Sequence, residues 1–232
     1  MQKILAICGS NNVESNSYLF LKNLREEFYN SHNSSISFKI LRPSDYYLNF
    51  VDGSSKPFIE GVDNNDTYDD GEFIKQEIQE ADFLIINSPV YSLNVSANIK
   101  NLIDRISPWS HIFKLLGKPG LILTISSGRG HLEVESYLNY IFSSFGLNII
   151  ENIHLTNRKS ILNYDFTSLK QKIYKKLDSS GVYKVPFLLE KQFQEHKDSI
   201  RKQPSHYFEY EYWKNSGLMD SQTLQNYVDS YL

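Results

Sequence analysis

Along the first 160 residues, short apolar runs alternate with amphipathic segments of helical spacing. The runs are KILAIC (3–8), SISFKIL (35–41), DFLIINS (82–88), PGLILTIS (119–126) and LNIIENIHL (147–155). They lack strict polar alternation, which suits strands buried on both faces. Helical periodicity occupies residues 16–30, 71–80, 95–107 and 131–145. Strands alternating with helices of this length require right-handed crossovers and a parallel sheet covered on both sides. Beyond residue 160 the pattern turns helical, over 166–178 and 187–202, and ends in SHYFEYEYWKNSGLMDSQTLQNYVDSYL. The pattern therefore predicts an α/β domain over residues 1–160 and a helical extension over 161–232. No repeat or low-complexity linker divides them.

One connection departs from this regularity. Residues 43–71, PSDYYLNFVDGSSKPFIEGVDNNDTYDDG, carry many Asp and Asn and little periodicity. Ordinary connections are much shorter, so a functional excursion or an oligomer contact is expected. Its Asp63, Asp66, Asp69 and Asp70 lack the spacing of a calcium loop and read as a solvated surface.

Composition narrows the field. With 41% hydrophobic residues in 232, the chain can bury a sizeable core. A net charge of −3 provides no basic footprint for nucleic acid or for a membrane surface. No apolar run approaches the roughly 20 residues of a membrane span. The first strand begins almost at residue 1, so the expectation is a chain without a signal peptide, working in the cytoplasm. A single cysteine, Cys8, excludes an internal disulfide and any site built on several thiolates, and reads as a small buried hydrophobe.

Candidate chemistry lies in the turns after three strands, because ligands of open parallel sheets sit beyond the carboxyl ends of the strands. The first turn, GSNNVESNS, joins strand one to a helix. Its backbone N–H groups and the helix end favour an anion such as a phosphate, and Ser10, Asn12, Ser15, Asn16 and Ser17 can donate to its oxygens. A capped helix after a polar turn is the alternative, since Ser and Asn also favour N-caps. The turn is neither GxGxxG nor GxxxxGK[ST]. The second turn, SPVYSLN, sets the exit of the chain with Pro89 and offers the Val90–Asn94 backbone, with Ser92 within it, to a flat polar ring on which Tyr91 can stack. The third, TISSGRGH, allows close approach at Gly128 and Gly130, with Ser127 and Arg129 as donors. Arg129 reads equally well as a solvated loop residue. One anion site and two ring-binding turns describe a mononucleotide with a broad heterocycle.

The same residues resemble those of the flavodoxin-like NAD(P)H-dependent FMN reductases. GSNNVESNS is similar to that family's phosphate turn. Ala81 to Arg105 follow its AD-x-x-[IL]-x-x-SPVY-x-x-x-x-SA-x-x-K-x-x-[IL]-DR signature almost residue for residue. GKPGLILTISSGRG resembles its glycine-rich flavin loop. The resemblance covers residues 3–150 and implies a flavodoxin-like doubly wound five-stranded sheet of order 2-1-3-4-5. It also implies bound FMN, NADH or NADPH as co-substrate, a small-molecule electron acceptor and a homodimer or homotetramer. Hydride would pass to the flavin and on to a flavin, quinone, nitro or azo compound, or a biosynthetic intermediate, with no catalytic side chain. The N–H groups of Ser127–Arg129, or the Arg129 guanidinium, would stabilise charge on the reduced ring. Many relatives carry Arg or Lys near positions 12 and 13. This chain has Asn12, Val13 and Glu14, so neutral donors and the helix end would hold the phosphate. The iron–sulfur branch carries cysteines where this chain reads DNNDTYDDGEFI, and without thiolates a cluster is excluded. A flavodoxin-type electron carrier serving a protein partner is the alternative function.

The remaining signals carry less. His131-Leu132-Glu133 has the H-x-E spacing of zinc deaminases but lacks their cysteines. His32, His111, His154, His196 and His206 show no pairing on one helix and read as surface or packing residues. Asp104 and Arg105 read as a helix-terminal ion pair. Tyr207, Phe208, Tyr210, Tyr212 and Trp213 crowd aromatic surface into the tail, which is expected to pack on its own domain or on a partner subunit.

Overall fold

A computed structural model describes residues 1–30, 35–178 and 183–232; His32 lies outside them. Five strands, β1 (Gln2–Cys8), β2 (Ile36–Leu41), β3 (Phe83–Pro89), β4 (Pro119–Ile125) and β5 (Asn148–Leu155), form one parallel sheet of order β2-β1-β3-β4-β5. This is the doubly wound flavodoxin-like arrangement, with the order reversing between β1 and β3. Successive residues of each strand enter opposite cores. Ile4, Ala6 and Cys8 face one layer, whereas Leu5 and Ile7 face the other. That alternation between two apolar cores explains why the runs show no polar period.

The first layer contains α1 (Asn16–Tyr29), α7 (Arg158–Leu162) and α8 (Phe166–Asp178), which pack Phe20, Leu24, Ile161 and Ile173 against the sheet. The second holds α3 (Gly71–Glu80), α4 (Ala97–Arg105), α5 (Trp109–Ile112) and α6 (His131–Ser144). The extension α9 (Phe187–Ile200), α10 (Phe208–Ser216) and α11 (Leu224–Tyr231) joins this second core through Phe193, Trp213, Leu218 and Leu224. The Trp213 ring is fully buried and stacks on Phe193 at 5.2 Å, and its Nε1–H donates to the His111 carbonyl at 2.8 Å. Of the five tail aromatics, Trp213 is buried and the other four are half-buried. Their surface is thus taken up largely within this chain.

The excursion from 43 to 71 contains α2 (Lys56–Ile59) and one 3₁₀ turn (Asn64–Thr67). Contrary to the solvated reading, three of its aspartates converge on Arg105, whose side chain is fully buried at the end of α4. Arg105 Nε donates to Asp63 at 2.6 Å and Nη2 to Asp66 at 2.6 Å, while Nη1 donates to Asp69 and to the Asn49 carbonyl. Asp69, equally buried, also accepts from the Asn49 and Gly71 N–H groups at 2.8 Å. Asp70 accepts from Tyr47 N–H at 2.8 Å. The expected helix-terminal pair is likewise corrected: Asp104 bonds Lys100, one turn earlier, and Arg105 serves the excursion. The local sequence was misleading because four acidic residues with no periodicity look solvated until their cation is brought from residues away in the chain.

Candidate functional site

Five parallel strands place all their carboxyl ends on one edge, and the three turns singled out from the sequence leave from β1, β3 and β4 at that edge. Gly9, the first residue past β1, donates its N–H to the Asn87 carbonyl at 2.9 Å. A Cβ there would stand 2.8 Å from that oxygen, from Ser96 Oγ and from Ile99, so only glycine lets the first turn pass so close to β3 and α4.

Within the first turn, Ser15 is the N-cap of α1: its Oγ accepts from Tyr18 N–H at 3.1 Å. The capping reading thus describes Ser15, whose hydroxyl proton stays available to a ligand. Asn12 Oδ1 accepts from Glu14 N–H at 2.8 Å, which leaves its amide donors outward, and the side chain is exposed. Asn16 is half-buried and Ser10 buried. Ser17, in the first turn of α1, is buried and its Oγ has no hydrogen-bond partner among the described residues. A buried hydroxyl at a helix N-terminus without a protein partner fits an anion that supplies the missing acceptor.

The second turn is closed by Ser88, whose Oγ donates to the Pro89 carbonyl at 2.8 Å and accepts from Ser96 N–H at 3.0 Å. Pro89 ends β3 and is buried; Val90 is half-buried and donates its N–H to the Ile125 carbonyl at 2.9 Å. Tyr91 and Asn94 exchange both backbone bonds, at 2.9 and 3.0 Å, around Ser92 and Leu93. Tyr91 and Ser92 are exposed. At the base of this turn Asn87 donates to the Leu123 carbonyl, while its Oδ1 is buried without a partner among the described residues.

The third turn presents Ser127, Gly128 and Arg129 to solvent, and Arg129 makes no ion pair among the described residues. Gly130, at φ 90°, opens α6 against the second turn: a Cβ on it would lie 2.8 Å from Leu93 Cα and 2.9 Å from Val90 Cγ1. Turns two and three therefore touch. Behind them stands a pair the sequence did not suggest. The His131 and His154 rings stack at 3.8 Å and 5°, and His154 Nε2 meets Ser126 Oγ at 2.8 Å. Burial, with His131 alongside, pushes the His154 pKa down. Like Ser17 Oγ and Asn87 Oδ1, His131 Nδ1 is buried at this edge without a partner among the described residues. A polar Ser126 ending an apolar strand was the only local hint of this group. His154 is the packing residue that the sequence suggested, and its partner comes from another element, because β5 and α6 bring the two rings together.

Two ring-sized turns in contact, an anion-ready helix end beside them, and buried donors and acceptors awaiting partners fit a flavin mononucleotide. Residues 2–159 match the family described as NADPH-dependent FMN reductase. The chain belongs to that family. FMN, reduced by NAD(P)H, is the cofactor of these oxidoreductases. An iron–sulfur flavoprotein of Archaeoglobus fulgidus is 39% identical to this chain over 80 residues, 34% of this chain and 36% of that protein, so the chain spans about a third of that relative. An FMN-dependent NADH:quinone oxidoreductase of Metamycoplasma arthritidis is 28% identical over 180 residues, 68% of this chain and 88% of the relative. The solved flavoenzyme NAD(P)H:(acceptor) oxidoreductase of Paracoccus denitrificans shares the fold, with a TM-score of 0.51 at 16% identity over 77% of this chain and 96% of its own.

Proposed function

We propose that this protein is an FMN-dependent NAD(P)H oxidoreductase that passes reducing equivalents to a small planar acceptor of the quinone or flavin type in the cytoplasm. The observation that carries the reading is Ser17, a buried hydroxyl with no partner among the described residues, in the turn whose sequence resembles the phosphate turn of this family. When bound, FMN supplies the redox chemistry, taking a hydride equivalent from the nicotinamide and delivering it to the acceptor. The chain's own residues bind and orient. Ser10, Ser15, Ser17, Asn12 and Asn16 supply neutral donors to a phosphate, and the amino end of α1 supplies partial positive charge. Pro89 to Ser92 and Ser127 to Arg129 offer backbone groups and one cation to the ring. Stacking two flat rings in such a crevice replaces a bimolecular encounter with a positioned one. Residues 1–160 carry the site; of the remaining residues, Ile161 and α8 pack in the layer of α1, and α9 to α11 complete the apolar layer behind α6.

Titrating the purified chain with FMN and adding NADH or NADPH without oxygen tests the reading. Uptake of FMN followed by bleaching of the flavin band is expected. Failure to take up FMN overturns the site, and uptake without bleaching by either nucleotide favours an electron carrier.

A further inference from the structure

The Tyr91–Asn94 turn is strained in an unexpected place. Ser92 (φ 50°) and Leu93 (φ 62°) both occupy the left-handed region, the pattern of a type I′ turn. Such turns favour Asn-Gly or Gly-Gly, and a branched apolar residue is disfavoured there. Leu93 is also 57% exposed, so core packing does not compensate for the strain. Its Cδ2 lies only 3.0 Å from where a Cβ of Gly130 would be, so the isobutyl group leans across the glycine that opens α6. Leu93 is thus held over the junction of the two ring-binding turns. The other exposed apolar side chains of these turns are Val13, Tyr91 and Leu132. The exposed charges are Glu14, Arg129 and Glu133, one cation against two anions.

We propose that Leu93 is a specificity-determining residue: the turn holds it out as the apolar wall of the acceptor subsite, which selects uncharged planar rings such as quinones over anionic acceptors. Strain retained at an exposed position points to function, because a residue without strain was available at no packing loss. This inference rests on the flavin reading above and goes beyond it by assigning the acceptor class to one side chain.

Leu93→Gly is the test, since glycine adopts the same φ and removes only the wall. The melting temperature of the apo variant is expected to match or exceed that of the parent, whereas a loss of several degrees means that Leu93 is structural and overturns the proposal. With FMN-loaded protein, the ratio of kcat/KM for 1,4-naphthoquinone to that for ferricyanide is expected to fall at least tenfold, mainly through the KM for the quinone. An unchanged ratio overturns the proposal while leaving the flavin reading intact. Weakened FMN binding in the variant, read by flavin fluorescence, reassigns Leu93 to the cofactor and also overturns it. Absence of FMN binding by the parent chain removes both readings together.

Discussion

At the scale of single residues, the informative positions are those where a side chain lacks what its burial demands. Ser17 is one. In Ser17→Ala, the dissociation constant for FMN is expected to rise roughly ten- to a hundredfold, because a hydrogen bond to a charged group contributes roughly 1.5–3 kcal/mol. The apo variant should melt no earlier than the parent, since the Ser17 hydroxyl has no partner among the described residues to lose; a fall of several degrees would assign Ser17 to folding. Cys8 is the reverse case, a buried group content to be apolar. Burial pushes its thiol up to about 11, and its Sγ sits 3.6 Å from the Ser10 carbonyl. It is expected to resist a disulfide-exchange reagent at pH 8 in the native protein and to react promptly in denaturant. Fast reaction in the native state would contradict its burial.

At the scale of elements, the long excursion is the segment that depends most on one residue. Arg105 holds Asp63, Asp66 and Asp69, and Lys75 reinforces Asp66 at 2.5 Å. Burial works against the guanidinium charge, but the bonds to Asp69 and Asp63 outweigh it and the proton is held more firmly than usual. For Asp69, burial likewise works against the charge, and the bonds from Arg105, Asn49 and Gly71 bring its pKa below the ordinary range. Removing one partner of such a buried group leaves uncompensated charge and costs about 3–5 kcal/mol. Arg105→Met should therefore lower the urea midpoint sharply or prevent folding, and Asp66→Asn, nearer the surface, should lower it less. Equal midpoints for parent and Asp66→Asn would show that the clamp contributes little. The turns of the site were legible because each follows a readable strand. The clamp was not, because its cation and its anions lie on different elements.

At the scale of the molecule, the helical extension and the sheet share one core. His196 of α9 contacts the ring of His111, and Glu209 of α10, buried, accepts from His111 Nδ1–H at 2.7 Å and from Gln203 at 3.0 Å. Burial, aided by His111, pushes His196 down to about 4, against the raising effect of Glu209 and Glu195. A histidine whose pKa is lower folded than unfolded stabilises the native state above about pH 6.5 and loses that contribution as pH falls towards 4. The shift limits this loss to about 3 kcal/mol. Melting temperature should accordingly drop between pH 6.5 and 4, and His196→Gln should flatten the drop; an identical slope in the variant would exclude His196 as the source. Truncation after residue 202 would remove Trp213, Leu218 and Leu224 from the core. The shortened chain is expected to lose its cooperative melting transition, and a sharp transition near that of the parent would show that the extension is dispensable.

The sequence by itself determined the class of fold, the strand positions and the three turns that follow β1, β3 and β4, which form the candidate site. Each of these follows from local periodicity, from strand-end placement in a parallel sheet, or from a contiguous motif. Only the tertiary structure decided which charges meet, which histidines stack and what the tail aromatics cover. Those depend on contacts between residues far apart in the chain, whose pairing no local pattern encodes. The strain at Leu93 belongs to this second group too, because φ at an exposed leucine is set by the hairpin bonds of Tyr91 and Asn94 and by the neighbouring glycine turn.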